Sequence, residues 1–148
     1  MMHKTTDNIQ FHYLKKDFPF SSRGECKQFI RGMFRKEKVP FESLSYIFCS
    51  DDYLLEINRA HLDHDYYTDI ITFDLSEPGA PTTGEVYISI DRVKDNARAH
   101  NETFARELHR VIFHGVLHLC GFGDKTAREE KIMRQKEDFY LDKYFGGK

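Results

Sequence analysis

Little in this chain points to export, to a membrane or to a generic nucleic-acid coat. Only 3 cysteines occur in 148 residues, and Cys26, Cys49 and Cys120 are widely spaced and odd in number. That arithmetic argues against a disulfide framework and leads us to expect a reducing, cytoplasmic setting. No stretch near the start has the basic-then-apolar order of a secretory signal. The longest apolar-leaning run, Val111 to Phe122, is too short to span a bilayer and carries two histidines, so no membrane span is expected. An excess of positive charge is missing too: 22 Lys and Arg stand against 24 Asp and Glu, a net charge of −2. Any RNA must therefore be held by a local basic patch rather than by the surface as a whole. No internal repeat, low-complexity tract or linker divides the chain. With 40% hydrophobic and 31% charged residues, one globular domain over 1–148 is expected, large enough for a substantial core.

What is present is concentrated in one stretch, Phe113-His114-Gly115-Val116-Leu117-His118-Leu119-Cys120-Gly121-Phe122-Gly123-Asp124. The run from about Thr103 to Cys120 reads as a helix. His114 and His118, four apart, then point the same way, roughly 6 Å from each other along the axis. Two ligands of one metal ion need that reach. Gly121 suits the positive φ of a helix stop, and Gly123 adds a second joint. The chain can thus fold back and carry Asp124 towards the two imidazoles. Two nitrogens, one carboxylate oxygen and an open fourth position describe a catalytic rather than a structural metal site. The competing account is a hydrogen-bonded core pair, since both histidines share a side with Phe104, Leu108 and Val111. Two buried imidazoles one turn apart would need two sets of partners, which a shared cation supplies at once.

The stretch His114-Gly115-Val116-Leu117-His118-Leu119-Cys120-Gly121-Phe122 resembles the H-G-x-L-H-L-x-G-[YF] motif of the bacterial YbeY family. Ile57-Asn58, with Tyr67-Thr68-Asp69-Ile70-Ile71-Thr72-Phe73 after it, resembles that family's L-N and P-T-D-V-L-S-F. Gly84-Glu85-Val86-Tyr87-Ile88 resembles G-D-I-x-I, and Met133-Arg134-Gln135-Lys136-Glu137 resembles the closing M-x-x-x-E. In order, these cover roughly positions 44 to 140. The resemblance implies a single-domain, metal-dependent endoribonuclease of ribosomal RNA maturation. It also implies one divalent ion, zinc first, with RNA precursors as substrate and ribosomal or ribosome-assembly proteins as partners. Two positions depart from the pattern. The family's third ligand is usually His where this chain has Asp124. Its functional Arg usually lies four after the L-N asparagine, where Leu62 stands.

Periodicity supplies the frame. A short β-like run spans Ile9 to Leu14. Ser22-Arg23-Gly24-Glu25 reads as a capping box for a helix bearing the apolar stripe Cys26, Phe29, Ile30, Met33 and Phe34. Leu44 to Cys49 reads as a strand, and Ser50 as the N-cap of a helix from Asp51 to about Ala60. Residues 61–69 read as a polar, aromatic loop. Ile70 to Leu75 reads as a strand buried on both faces. Val86, Ile88 and Ile90 alternate as a strand, and Asp91 is the expected cap of a helix to about His100. Thr126-Ala127-Arg128-Glu129 reads as a second capping box, opening a helix to about Tyr140 with Ile132, Met133 and Phe139 inward. The fold class is α/β (α+β): a small four-stranded mixed sheet packed with about five helices.

The expected chemistry is phosphodiester hydrolysis. A zincin-type metalloprotease needs Glu directly after the first His, and Gly115 occupies that position. Charge on the phosphoryl oxygens calls for a metal ion and a nearby cation. Arg59 is the candidate cation, being one turn from Leu62, and an exposed helix Arg is the plainer account of it. His64 is a candidate acid or base, since histidine titrates near neutrality, against the plainer account of a solvated loop residue. Arg23, Lys27, Arg31 and Arg35 form an i+4 row able to track phosphates, or an ordinary solvated face. Tyr66 and Tyr67 could stack on unpaired bases. Two other readings stand beside the nuclease. One is a non-catalytic ribosome-assembly factor whose ion only pins the last helix. The other is a metal-dependent hydrolase of another phosphoester or amide.

Overall fold

In the computed structural model, residues 8–64 and 67–146 are described. The chain runs β1 (Ile9–Tyr13), α1 (Arg23–Lys36), β2 (Phe41–Cys49), α2 (Asp51–Leu62), β3 (Ile70–Asp74), β4 (Thr82–Ser89), α3 (Ile90–Ala99), α4 (Phe104–Leu119) and α5 (Ala127–Gly146). The strands order β1-β2-β4-β3. β1, β2 and β4 are parallel, and β3 runs antiparallel along the edge beside β4. A single mixed sheet with five helices is the expected architecture.

The register sorts side chains onto two faces. Ile9, Phe11 and Tyr13 lie opposite Leu44, Tyr46 and Phe48, and Tyr46 and Phe48 lie opposite Val86 and Ile88. Alternation puts all of these on one face. There they join buried residues of α1, α4 and α5 in the main core. Cys49 and Ile71 face the other way and form a smaller cluster with Leu54 of α2. Tyr46 donates its hydroxyl to the Ile112 carbonyl at 2.8 Å, which ties the sheet to the middle of α4. Gly115 lets α4 approach: a Cβ there would lie 3.1 Å from Val86 Cγ1 and 3.3 Å from Ile70 Cδ1. The residue that excludes a zincin glutamate therefore faces the sheet.

Several boundaries differ from the sequence reading, each for a local reason. The Ser22 box does not form: Ser22 is the N-cap position but makes no side-chain cap, and its Oγ lies 3.2 Å from the Tyr144 hydroxyl. α3 is capped by Ser89, whose Oγ accepts from Arg92 N, so Ile90 is helical rather than the end of a strand. Asp91 instead accepts from the Asp51 amide at 2.9 Å and so serves the start of α2. β3 is an edge strand, in which Ile71 alone is buried, not a strand buried on both faces. Leu75 lies beyond it, 54% exposed. α5 continues to Gly146, turning Phe139 outward and Met133, Glu137, Tyr140 and Leu141 inward. α2 likewise extends to Leu62 and stops at Asp63, which adopts the left-handed conformation. Among the described residues, no helix is long and apolar enough to cross a membrane.

Candidate metal centre

α4 delivers both histidines. It starts at Thr103, whose side chain accepts from Arg106 N, and ends where Gly121 turns at φ +102°. Gly121 N donates to His118 O and Phe122 N to Leu117 O, so the chain reverses over the last turn. The second capping box is present. Thr126 Oγ1 accepts from Glu129 N at 3.0 Å, while Glu129 Oε1 accepts from the amides of Lys125 and Thr126. Asp124 thus sits in a short segment pinned at both ends.

The result is a convergence of three donors. Asp124 Oδ2 lies 3.3 Å from His114 Nε2 and 3.4 Å from His118 Nε2. The ligand atoms of His114, His118 and Asp124 all fall within 4.8 Å of one another, a group that could hold a metal ion. The other ring nitrogens are occupied. His114 Nδ1 donates to Glu137 Oε2 at 2.6 Å, and His118 Nδ1 donates to the Phe122 carbonyl at 2.9 Å. With a proton on each Nδ1, each neutral ring aims an Nε2 lone pair at a carboxylate oxygen. Three lone pairs pointed inward repel one another, and a proton or a metal ion between them removes that repulsion. The donor chemistry therefore fits a divalent ion, with two imidazoles and one carboxylate as in open metal sites. Cys120 stands apart as the C-cap of α4, its thiol pushed up to about 12 by burial.

Charge around the cluster is paired and half-buried. Burial alone would push the Glu137 carboxyl up. The hydrogen bond and charge of His114, with Arg110 and Arg134, outweigh that and hold it below the usual carboxylate range. The same bond acts on His114: burial disfavours its cation, but Glu137, Asp69 and Asp124 together hold the imidazole above the ordinary value. Burial raises Asp69 and Glu107 despite nearby His114 and Arg110. Arg110 is locked in ion pairs with Glu137 at 3.0 Å, Asp138 at 3.2 Å and Glu107 at 3.7 Å.

The cluster opens into a cleft of about 700 Å³ bounded by β3, α4, the ends of α2 and α3, and the middle of α5. His64 lines this cleft, as do Leu62 and Asn58. Arg59 is exposed on α2 and is not among the lining residues. The reason is helical phase: Asn58 points inward and is buried, so its neighbour is turned about 100° away. The row on α1 lies elsewhere. Arg23 stacks over Tyr13, Lys27 over Phe11, and Arg31 donates to Asn8, so three of its four members rest on β1 and its approach. Tyr67 donates its hydroxyl to Asp52 at 3.2 Å, while Tyr66 lies outside the described residues.

Asp69, Glu107, Arg110, Arg134 and Glu137 line the cleft without having been singled out in the sequence as site residues. One signal was available for Glu137. It occupies an inward position of α5 with Met133, Tyr140 and Leu141, a carboxylate on an otherwise apolar stripe.

Comparison with known proteins shows the family to which the chain is similar. A family model described as endoribonuclease YbeY matches residues 6–145. A protein named endoribonuclease YbeY from Cytophaga hutchinsonii is 52% identical over 131 residues, 87% of this chain and 92% of that one. Its namesake from Christiangramia forsetii is 43% identical over 126 residues, covering 85% of this chain and 87% of the relative. A Thermotoga maritima protein solved in solution superposes with a TM-score of 0.64 at 29% identity, covering 94% of this chain and 90% of that one. With sequence motifs, fold and the match over residues 6–145 in agreement, the chain belongs to the YbeY family of endoribonucleases.

Proposed function

We propose that the chain is an endoribonuclease that cuts ribosomal RNA precursors in the cytoplasm, with one zinc ion on His114, His118 and Asp124. The observation that carries this reading is the convergence of three donor atoms inside an open cleft, rather than in a closed core. Relatives named as endoribonucleases supply the substrate class. When bound, the ion would polarise a phosphoryl oxygen and make water a stronger nucleophile.

The chain's own groups have separable tasks. Glu137 and the Phe122 carbonyl fix the tautomer and direction of the two imidazoles. His64, on the cleft wall, is assigned the proton needed by the departing oxygen. Arg59 lies off that wall and Arg110 is taken up by carboxylates, so the phosphate's charge falls to the exposed cations that line it: Lys125 and Arg134. Protein partners are expected among ribosomal and ribosome-assembly proteins, on the strength of the resemblance alone.

The test is removal and return of the ion. Chelated protein should keep its circular dichroism spectrum, lose cleavage of an RNA precursor, and regain it with one equivalent of zinc. Global unfolding on chelation would instead mark a structural ion and favour an assembly factor.

A further inference from the structure

Two cavities meet at the metal cluster. The cleft of about 700 Å³ runs along β3 and α4. A second, of about 590 Å³, runs along the start of α5 past Ala127, Glu130 and Lys131. Four residues line both: His114, Asp124, Glu137 and Arg134. Three of these belong to the cluster or to its support. Among the described residues, Arg134 is the one lysine or arginine at the junction; Lys125 lines only the first cavity and Lys131 only the second.

Resting on the endoribonuclease reading, we infer that Arg134 is the residue that takes the substrate's phosphate beside the metal cluster. A polynucleotide passing from one cavity to the other puts a phosphodiester at the junction. Arg110, the other arginine on the wall, is unavailable. It is held by three carboxylates, and its side chain is only 15% exposed. Arg134 differs on both counts. Its side chain is 63% exposed, and its ion pair is a single 3.6 Å contact with Glu137. Glu137 already accepts from His114 and Arg110, so Arg134 can swing away without stranding that carboxylate. An exposed contact of that length holds the guanidinium weakly. The guanidinium then offers a planar pair of donors that matches two phosphoryl oxygens, a fit that a lysine cannot reproduce. The neighbouring carboxylates do not forbid an anion here, since Glu137 is matched by His114 and Arg110, and Asp124 faces the ion's place.

The experiment uses zinc-loaded full chain as wild type, Arg134→Gln, Arg134→Lys and the exposed control Arg128→Gln. Zinc content, turnover of a short RNA oligonucleotide and calorimetric affinity for inorganic phosphate are read on the same samples. Arg134→Gln should keep one zinc, lose about 10²-fold in kcat, the scale of removing one electrostatic stabiliser, and bind phosphate about 10-fold more weakly. Arg134→Lys should recover part of both, and Arg128→Gln neither gain nor lose. Unchanged phosphate affinity in Arg134→Gln excludes Arg134 as the phosphate residue, and zinc loss in that variant reassigns it to holding Glu137. If the wild type cuts no RNA, the nuclease reading fails, while the phosphate titration still decides the role of Arg134.

Discussion

His109 and His114 stand on one helix, five residues apart, and their rings are wired alike up to a point. Each donates through Nδ1, His109 to the Ala105 carbonyl at 2.7 Å and His114 to Glu137 at 2.6 Å. The difference is at Nε2. That of His109 is buried with no hydrogen-bond partner among the described residues, enclosed by Phe20, Phe113, Tyr144 and Phe145. That of His114 faces Asp124 and, with His118, an open cleft. Burial outweighs the Ala105 bond and holds His109 below the ordinary histidine value, whereas carboxylates hold His114 above it. One helix thus carries a packing histidine and a pair that could hold a metal ion, and what lies across from Nε2 decides which is which.

The sharpest way to break that comparison is to delete ligands. His114→Ala with His118→Ala, and Asp124→Ala by itself, should abolish stoichiometric zinc in elemental analysis, because one or two remaining donors hold an ion far less well than three. His109→Phe should keep one equivalent. Zinc retained in the double variant, or lost in His109→Phe, would reverse the assignment.

A smaller effect is expected from the support. Glu137→Gln keeps the shape of the side chain but weakens its grip on His114 Nδ1, and metal affinity should fall about 10- to 100-fold in a competition titration. Full affinity would mean that packing alone orients the ring.

His109 should show itself in the pH dependence of stability. Its folded value is depressed, so as pH falls the unfolded chain takes up this proton first. The stabilisation is complete above the ordinary histidine pKa of about 6.5 and is lost as pH drops below it, at up to about 1.4 kcal/mol per pH unit. His109→Phe removes that proton uptake, and Ala105 O keeps its helical N–H partner. Urea midpoints between pH 7.5 and 5 should therefore fall less steeply in His109→Phe than in the wild type, and equal slopes would show that the buried ring does not resist protonation.

The smallest effect is expected at the α1 row, where three side chains already rest on β1. Changing Lys27 and Arg35 to Gln should leave the salt dependence of RNA binding unaltered. A drop of about one unit of slope per residue would turn that face into a phosphate track after all.

Local rules of sequence carried much of this molecule. Helical phase placed His114 and His118 on one face, Gly121 broke the helix where φ had to be positive, and Thr126 with Glu129 closed a capping box. Alternation marked the strands, and the spacing past two glycines pointed to Asp124. These succeed because the groups involved are within a few residues of each other, so local geometry fixes their relation. The Ser22 box failed for the opposite reason: Ser22 found Tyr144, 122 residues away, in place of its own helix.

Other features needed the assembled fold. Glu137 reaches His114 because α5 packs on α4, and nothing in its own segment says which histidine it meets. Helical phase separates Arg59 from Leu62, but it is β3 and α4, lying across from Asn58 and Leu62, that make their side of α2 a cleft wall. β3 lies on an edge because β4 pairs with β2, a choice made between distant strands. Contacts of short range, legible in the chain, were enough to bring His114, His118 and Asp124 together at the end of α4. Which carboxylate supports His114, which arginines line the cleft and which histidine is packing came from the assembled fold, because these depend on surfaces that different elements bring together.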